Sequence, residues 1–330
     1  MDNLQHSFKG RILVTGGAGF IGSALIWALN KRNIDNILVC DFLGNDERFK
    51  NLVPLSFADY IEADKLIDTL DSLNDVRTVF HLGACSSTTE NDASYLIRNN
   101  YEYTKTLAAW ALRKHARFVY ASSAATYGDG EQGMRDDEGQ LTSLRPLNMY
   151  AYSKHLFDLY AKRNGFLNRI YGLKYFNVFG PNESHKGDMR SLVNKAFPQI
   201  RDTGRVRLFK SYNPQYTDGG QLRDFLYVKD AVEMTLHFGS TDVSGGVFNL
   251  GSGVANSWIE LVTPIFKALN LPVNIDFIDM PESIRNKYQY FTRADISKLR
   301  QSGYDNPIMP LVDAVTDYVK NYLVPDKSLS

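Results

Sequence analysis

The chain has 330 residues, and its 37 lysine and arginine residues balance 37 aspartate and glutamate residues, so the formal net charge is zero. Nucleic-acid binders need positive potential to displace counterions from phosphates, and no cationic run stands out, so we predict no nucleic-acid partner. Hydrophobic residues make up 44% of the chain, enough for a large core. No apolar run approaches the ~20 residues of a membrane span, so we predict none.

The amino-terminal residues and the cysteine count bear on location. The residues before Gly10 lack the apolar core of a secretory signal, and Cys40 and Cys85 are too few for a disulfide framework. We therefore expect the protein to work in a reducing cytoplasm.

Short apolar runs alternate with segments of helical periodicity along the first half of the chain. The predicted strands are 11–14, 37–40, 78–82, 117–121 and 172–176. The predicted helices are 20–30, 64–73, 94–114 and 152–164. Alternation of this kind predicts an α/β fold with a doubly wound parallel sheet of the Rossmann type.

The second half of the chain is more irregular. Loops rich in glycine, proline, asparagine and aspartate precede a predicted helix at 258–269, a strand at 273–277 and a final helix at 311–323. We predict one domain over 1–176, with a return segment near 224–255, and a smaller C-terminal α/β domain over 177–223 and 256–330. The polar tail, 325–330, is expected to fray.

A glycine-rich turn, TGGAGFIG at 15–22, joins the first strand to the first helix. Glycines at 16, 19 and 22 permit a tight turn and close approach of the backbone to a pyrophosphate, whose charge then lies at the helix N-terminus. Asp41 ends the second strand, 19 residues after Gly22, where an acid that binds a ribose belongs. The alternative is a structural turn with a solvated aspartate. Because every contextual test of the motif is met, we predict that the first domain binds a nicotinamide dinucleotide and the second binds substrate.

The choice between NAD and NADP is open at this point. Asp41 alone favours NAD, because a carboxylate repels a 2′-phosphate. Arg48, a few residues later, is suited to receive that phosphate.

A second motif follows the predicted strand that ends near Ser123. In YAYSK, 150–154, Tyr150 and Lys154 share one helical face, so the ammonium is expected to lower the pKa of the phenol from about 10. Such a phenolate can accept a hydroxyl proton while a hydride leaves the same carbon, and Ser123 can hydrogen-bond the reacting oxygen. An ordinary amphipathic helix with a surface lysine is the alternative reading. Tyr152 does not match the four-residue spacing.

Together, these features resemble the extended short-chain dehydrogenase/reductase superfamily, whose members act on nucleotide sugars. Five stretches are similar to its ADP-heptose 6-epimerase family: GACSSTTE at 83–90, ASSAATYG at 121–128, FNVFGPNESHKG at 176–187, RDFLYV at 223–228 and YQYFT at 288–292. The resemblance implies that tightly held NADP is reduced transiently at C6″ of the heptose and that the hydride returns to the other face. It also implies a role in making the lipopolysaccharide inner core.

The resemblance implies roles for individual residues. Swapping faces demands acid/base groups on both sides of the carbon, and these are Tyr150 for one epimer and Lys186 for the other, with Ser123 and Lys154 completing the catalytic set. From the residues alone, Lys186 is a solvated loop cation. The implied cofactor ligands are Gly16, Gly19, Phe20, Ile21, Gly22, Asp41, Arg48, Leu82, Gly83, Ala84, Cys85, Ser86, Asn99, Lys154, Val178 and Lys186. The implied substrate ligands are Asn177, Asp188, Lys195, Phe209, Lys210, Ser211, Tyr212, Arg223 and Tyr288. No metal is expected.

The chain departs from the family pattern in several places. Phe42 and Ala63 replace the usual Asn and Lys near the ribose, which weakens the case for NADP over NAD. Asp188 and Lys195 stand where the family has serine and histidine, and an insertion spans 213–221. These departures leave the exact sugar and the role of the insertion open.

Three alternatives follow from the same motifs. A UDP-hexose 4-epimerase would share Ser123, Tyr150 and Lys154 but would not need Lys186. A dehydratase would need carboxylates after the strand that ends near Ser123, and the sequence there has none. A dinucleotide-sensing protein without catalysis would be expected to lose the tyrosine and lysine. The resemblance also implies a homo-oligomer, a closed ring such as a pentamer.

Overall fold

The structure, a computed structural model, describes residues 8–285 and 288–330. The strands are β1 (Arg11–Thr15), β2 (Ile37–Asp41), β3 (Asp59–Glu62), β4 (Val76–His81), β5 (Arg117–Ser123), β6 (Tyr171–Tyr175), β7 (Asn177–Phe179), β8 (Val206–Phe209), β9 (Leu222–Tyr227), β10 (Gly246–Leu250), β11 (Ala255–Ser257) and β12 (Ile275–Ile278). The helices are α1 (Phe20–Asn30), α2 (Ala63–Thr69), α3 (Ala93–Leu96), α4 (Tyr103–Arg113), α5 (Met149–Arg163), α6 (Leu192–Thr203), α7 (Val228–Ser240), α8 (Trp258–Ala268), α9 (Glu282–Arg285), α10 (Ser297–Gln301) and α11 (Leu311–Tyr318).

Seven strands form a parallel sheet in the order β10-β6-β5-β4-β1-β2-β3. Its central strands are apolar on both faces because helices cover both sides; β2, for example, is buried along its whole length. The order reverses between β1 and β4, which opens a crevice at the carboxyl ends of these strands. The predicted doubly wound α/β fold is confirmed.

Most predicted elements of the first half are confirmed, α1 to the residue. The predicted helix 94–114 is found as α3, a π-helical stretch Ile97–Glu102 and α4 in succession. β3 was not predicted, because its four residues are polar or half-buried and carry no apolar run. β7 and β11 were not predicted either, because three residues are too few to show an apolar run or an alternation.

The remaining strands form two smaller sheets. β9 pairs in parallel with β7 and antiparallel with β11, while β8 pairs with β12. β10, from the predicted return segment, is an edge strand of the large sheet, and α7 packs on α1. The domain boundaries themselves stay a prediction, and residues 1–7 of the first domain lie outside the described part. None of the helices in that part is long and apolar enough to cross a membrane.

The predicted fraying of residues 325–330 is wrong. Leu329 is fully buried in the main core, and its amide donates a hydrogen bond to Asn182 Oδ1 at 2.9 Å. The indole of Trp27 in α1 donates to the carbonyl of Ser330 at 3.2 Å. The burial of Leu329 and the hydrogen bond from its amide thus hold the polar tail in place.

Candidate active site

The glycine turn lies at the crevice. Two of its positions can be occupied only by glycine. Gly16 has a φ of +69°, and a Cβ there would lie 2.6 Å from the amide nitrogen of Gly83. A Cβ on Gly22 would lie 2.0 Å from the Gly16 carbonyl oxygen. Gly19 precedes α1 without a side-chain cap, which leaves first-turn N–H groups available to a phosphate. The turn therefore fits the pyrophosphate of a dinucleotide.

Asp41, at the end of β2, lies against this turn. Its Oδ2 accepts hydrogen bonds from the amides of Ala18 at 2.9 Å and Gly19 at 3.1 Å, and burial raises its pKa. Arg48 Nη1 lies 3.4 Å from Asp41 Oδ1, while Asp46 holds the guanidinium through Nε at 2.8 Å and Nη2 at 2.6 Å. An acid and a cation are thus juxtaposed where the adenosine ribose of a dinucleotide would lie.

The loop after β4, residues 82–86, is fixed by side chains that the sequence did not single out. Asn100 clamps Cys85, accepting from its amide at 2.8 Å and donating to its carbonyl at 2.9 Å, and also donates to Ser153 at 3.0 Å. The neighbouring Asn99, predicted as a cofactor ligand, is half-buried and donates to the Tyr95 carbonyl of its own helix. Which of the two adjacent asparagines faces the loop depends on the π-helical stretch, which changes the phase of the helix there.

His81 ties the same loop to the glycine turn. Its two ring nitrogens lie 2.7 Å from Thr15 Oγ1 and 2.8 Å from Thr104 Oγ1, and Thr15 Oγ1 also accepts from the amide of Gly83 at 3.2 Å. Complete burial lowers the pKa of His81 to about 3, so the imidazole is neutral at physiological pH. A buried histidine between two hydroxyls reads as a structural link, and no sequence motif marks it.

Tyr150 and Lys154 stand in the first turns of α5. Asn148 caps this helix by accepting from the amide of Ala151 at 2.8 Å, which sets where the helix begins. Lys154 Nζ donates to the Ala121 carbonyl at 2.9 Å, and burial lowers its pKa to about 8. The predicted spacing thus places both residues beside the end of β5.

The predicted lowering of the Tyr150 pKa is wrong. Burial is the largest influence and raises the pKa of the phenol, while a hydrogen bond with Ser123 opposes part of that rise. The ammonium of Lys154 donates its hydrogen bond to the Ala121 carbonyl instead. Ser123, predicted to hydrogen-bond the reacting oxygen, lies beside this phenol at the end of β5.

Lys186 lies in a short 3-10 helix, Ser184–Met189, and reaches the glycine turn. Its Nζ lies 5.2 Å from the centre of the Phe20 ring, at the start of α1. Burial lowers the pKa of Lys186, and the buried carboxylate of Glu183 opposes this. A partly desolvated ammonium beside the dinucleotide cradle is not the solvated loop cation that the sequence alone suggested.

A buried ion pair that the sequence analysis missed joins α5 to β6. Asp158 and Lys174 are both fully buried and lie 2.8 Å apart. Asp158 also accepts from the hydroxyls of Tyr120 and Ser122, each at 2.8 Å, and Lys174 donates to Thr126 at 2.7 Å. These three hydroxyl partners come from β5 and the turn after it, while Asp158 lies on α5 and Lys174 on β6, so the pair ties these elements together.

Removing the carboxylate of that pair should destabilise the protein strongly. We expect Asp158→Asn to lower the free energy of unfolding by about 3–5 kcal/mol, because it leaves the Lys174 charge buried without its counterion. Urea unfolding followed by circular dichroism measures the loss. Asp68→Asn, at an exposed position of α2, is the matched control and should change stability little. An Asp158→Asn midpoint equal to that of the control would contradict the prediction.

A cavity of about 800 Å³ is lined by residues of the two smaller sheets and of α6 and α8. Five residues of the predicted cofactor and substrate sets line it: Asn177, Val178, Lys195, Phe209 and Tyr288. Arg190, Arg205 and Arg207, which were not predicted, line it too, and none of the described residues that line it is acidic. The cavity is therefore suited to an anionic ligand.

Arg223 packs against the rings of Tyr288 and Trp258, which line that cavity. Its guanidinium lies 5.1 Å from the centre of the Tyr288 ring and 5.6 Å from that of the Trp258 ring. It is only 7% exposed, and its one hydrogen bond within the described residues goes to the Leu222 carbonyl at 2.8 Å. A buried guanidinium with spare donors is suited to bind a phosphate.

The other predicted substrate residues adjoin residues that line the cavity, such as Lys195 and Phe209. Lys210 pairs with Asp279 at 3.2 Å, and Tyr212 donates to the same carboxylate at 3.0 Å. Asp188 is exposed, and its carbonyl accepts from Lys195 at 3.3 Å. None of Asp188, Lys210, Ser211 or Tyr212 lines the cavity itself.

The insertion at 213–221 folds back on the substrate segment. Asp218 accepts from the amide of Ser211 at 2.7 Å, and the Tyr216 ring lies 5.4 Å from that of Tyr290. The insertion therefore covers the 209–212 strand end rather than projecting away from it.

Several known proteins are similar to this chain in sequence and in fold. The profile of the NAD dependent epimerase/dehydratase family matches residues 12–251. The ADP-L-glycero-D-manno-heptose-6-epimerase of Nitratidesulfovibrio vulgaris strain DP4 is 51% identical over 94% of this chain and 97% of its own. The Fusobacterium nucleatum protein of the same name is 44% identical over 96% of this chain and 99% of its own. The crystal structure of the Helicobacter pylori ADP-L-glycero-D-manno-heptose-6-epimerase superposes with a TM-score of 0.80 at 27% identity, covering 97% of this chain and 98% of that one.

Proposed function

Since this chain belongs to the NAD dependent epimerase/dehydratase family, we propose that it interconverts ADP-D-glycero-D-manno-heptose and ADP-L-glycero-D-manno-heptose by transient oxidation at C6″. The observation that carries the proposal is similarity over nearly the full length to relatives that bear the 6-epimerase name. The product would serve as the activated heptose of the lipopolysaccharide inner core.

The chemistry needs a hydride carrier and two proton-transfer groups. The dinucleotide that the glycine turn and Arg48 would hold would supply the hydride acceptor and donor for C6″. Tyr150 removes the hydroxyl proton of one epimer, and Lys186 donates a proton to the oxygen of the other; in reverse they exchange tasks. One O–H and one C–H bond break and the same two re-form, so the reaction has no net redox change.

Neighbouring residues take part in the proposed chemistry of these two groups. Ser123 lies beside Tyr150 and can hydrogen-bond the reacting oxygen during proton transfer. Burial lowers the pKa of Lys186, which brings its proton affinity closer to that of a working acid or base. Lys154, anchored on the Ala121 carbonyl, orients the nicotinamide ribose.

We propose NADP as the cofactor, with Arg48 as the ligand of its 2′-phosphate. The arginine lies beside Asp41 at the ribose position and presents a planar set of donors. NAD binding would leave Arg48 with Asp46 and Asp41 alone as partners. The same proposal places the substrate diphosphate at Arg223, which makes one hydrogen bond within the described residues and keeps its other donors for a ligand. A homo-oligomeric ring is proposed on the family resemblance, and a cytoplasmic location because two cysteines are too few for a disulfide framework.

A single assay tests both function and cofactor. Purified protein, incubated with ADP-D-glycero-D-manno-heptose without added cofactor, is expected to yield the L-glycero diastereomer in the proton NMR spectrum. Mass spectrometry of the dinucleotide released on denaturation should show NADP. UDP-galactose, offered in parallel, tests the 4-epimerase alternative and should remain unchanged. No new diastereomer from protein that retains dinucleotide would overturn the proposed function.

A further inference from the structure

Asn51 has no assigned role, yet it joins the two segments that form the cofactor side of the site. It ends the short 3-10 helix Glu47–Asn51 and is only 6% exposed. Its Nδ2 lies 3.0 Å from the carbonyl oxygen of Ala18, 3.2 Å from that of Asn182 and 3.2 Å from Nδ1 of His185. One amide thus bridges the glycine turn and the loop that carries Lys186.

The orientation of this amide follows from its partners. Two of its three neighbours are backbone carbonyl oxygens, which only accept, so the NH2 group of Asn51 must face them. An amide NH2 group cannot accept, so the contact with His185 Nδ1 is a hydrogen bond in the tautomer that carries its proton on Nε2. Burial, with the positive charges of Arg48 and Lys186, lowers the pKa of His185 to about 4 against the opposing charge of Asp46. The imidazole is therefore neutral at physiological pH and able to accept.

The bridge determines where Lys186 can lie. Lys186 follows His185 directly, and its Nζ lies over Phe20, two residues after the Ala18 carbonyl that Asn51 binds. Asn182 adds a parallel tie, because its side chain donates to Ser23 Oγ in α1 at 3.0 Å. Both ties connect the lysine loop to the glycine turn and to α1.

We propose that Asn51 is a positioning residue, which holds the His185–Lys186 turn against the glycine turn and so keeps Lys186 Nζ in place for proton transfer. The inference deepens the proposed function and rests on the role given there to Lys186. Arg48 lies one turn earlier on the same short helix, so the proposed phosphate ligand and the bridge share one rigid element.

Asn51→Asp is the sharpest test, because it keeps the shape of the side chain and removes both donors. The new carboxylate would face two carbonyl oxygens and His185. We expect the pKa of His185, followed by NMR of its imidazole Cε1–H, to rise from about 4, since an adjacent anion stabilises the imidazolium. We also expect kcat to fall about 10²-fold through misplacement of Lys186.

The fall in rate should be confined to the half-reaction that starts from one of the two epimers. Single-turnover reduction of the bound dinucleotide, started separately from each epimer, should slow for the epimer served by Lys186 and change little for that served by Tyr150. Asn51→Ser, which retains one donor, should show a smaller loss and is the second variant should Asn51→Asp fold poorly. Asn168→Asp, at an exposed position before β6, is the matched control and should behave as wild type.

Two results separate this inference from the proposed function. If both variants leave the His185 titration and both half-reactions unchanged, the positioning role of Asn51 is overturned. If the wild-type protein does not act on either heptose epimer, the proposed function fails; the His185 titration then decides whether the Asn51 bridge exists. A uniform slowing of both half-reactions would show a general structural effect and would also overturn the inference.

Discussion

Tyr150→Phe is expected to lower the rate of epimerisation by about 10²–10⁴-fold, equivalent to about 3–5 kcal/mol of activation free energy. The substitution removes only the phenolic oxygen, which carries the proton. Neither the ring nor the helix cap at Asn148 changes, so the free energy of unfolding should stay close to that of the wild type. Steady-state kinetics with each epimer measures the effect.

Tyr152→Phe is the matched control for this prediction. Tyr152 lies in the first turns of the same helix but is 44% exposed, so loss of its hydroxyl should leave the rate unchanged. Equal rates for Tyr150→Phe and Tyr152→Phe would show that the phenol of Tyr150 has no part in proton transfer.

Lys186→Met should have an effect of similar size, about 10²–10⁴-fold, because it removes the second proton-transfer group while keeping the length of the side chain. Methionine can still pack on Phe20, so the dinucleotide content of the purified protein is expected to change little. The measurement is the overall rate together with single-turnover reduction of the bound dinucleotide from each epimer.

The two variants should give opposite patterns. Tyr150→Phe should block oxidation of one epimer and Lys186→Met that of the other, whereas a single base would make both reactions depend on Tyr150 alone. Lys65→Met, at an exposed surface lysine, serves as the control for loss of a positive charge. Normal turnover by Lys186→Met would refute the two-base scheme for this protein.

The first half of the fold could be predicted because its signals are local. The strand–glycine turn–α1 unit follows from an apolar run, glycines at fixed spacing and helical periodicity, all within 20 residues. β7 and β9 are different: β7 has only three residues, and β9 is bounded by Gln221, whose burial no pattern marks. Such strands exist because a partner strand is available, and pairing is a property of the folded chain.

The candidate site shows the same division. Tyr150, Lys154 and Ser123 could be named from spacing alone, since helical periodicity and the end of a strand place them together. The assignment of Lys186 needed the family resemblance, because its loop has no periodicity. Asn51, about 130 positions earlier in the chain, had no signal at all; its role arises where three separate segments meet.

The sequence by itself therefore determined the doubly wound α/β class, the dinucleotide cradle and the tyrosine–lysine pair, all of which depend on residues close together in the chain. Only the tertiary structure decided the electrostatics. It raised the pKa of Tyr150 instead of lowering it, desolvated Lys186 beside Phe20 and left Arg223 buried without a counterion among the described residues. The physical reason is that burial and long-range pairing set the energy of a charge, and both depend on segments that come together only in the fold.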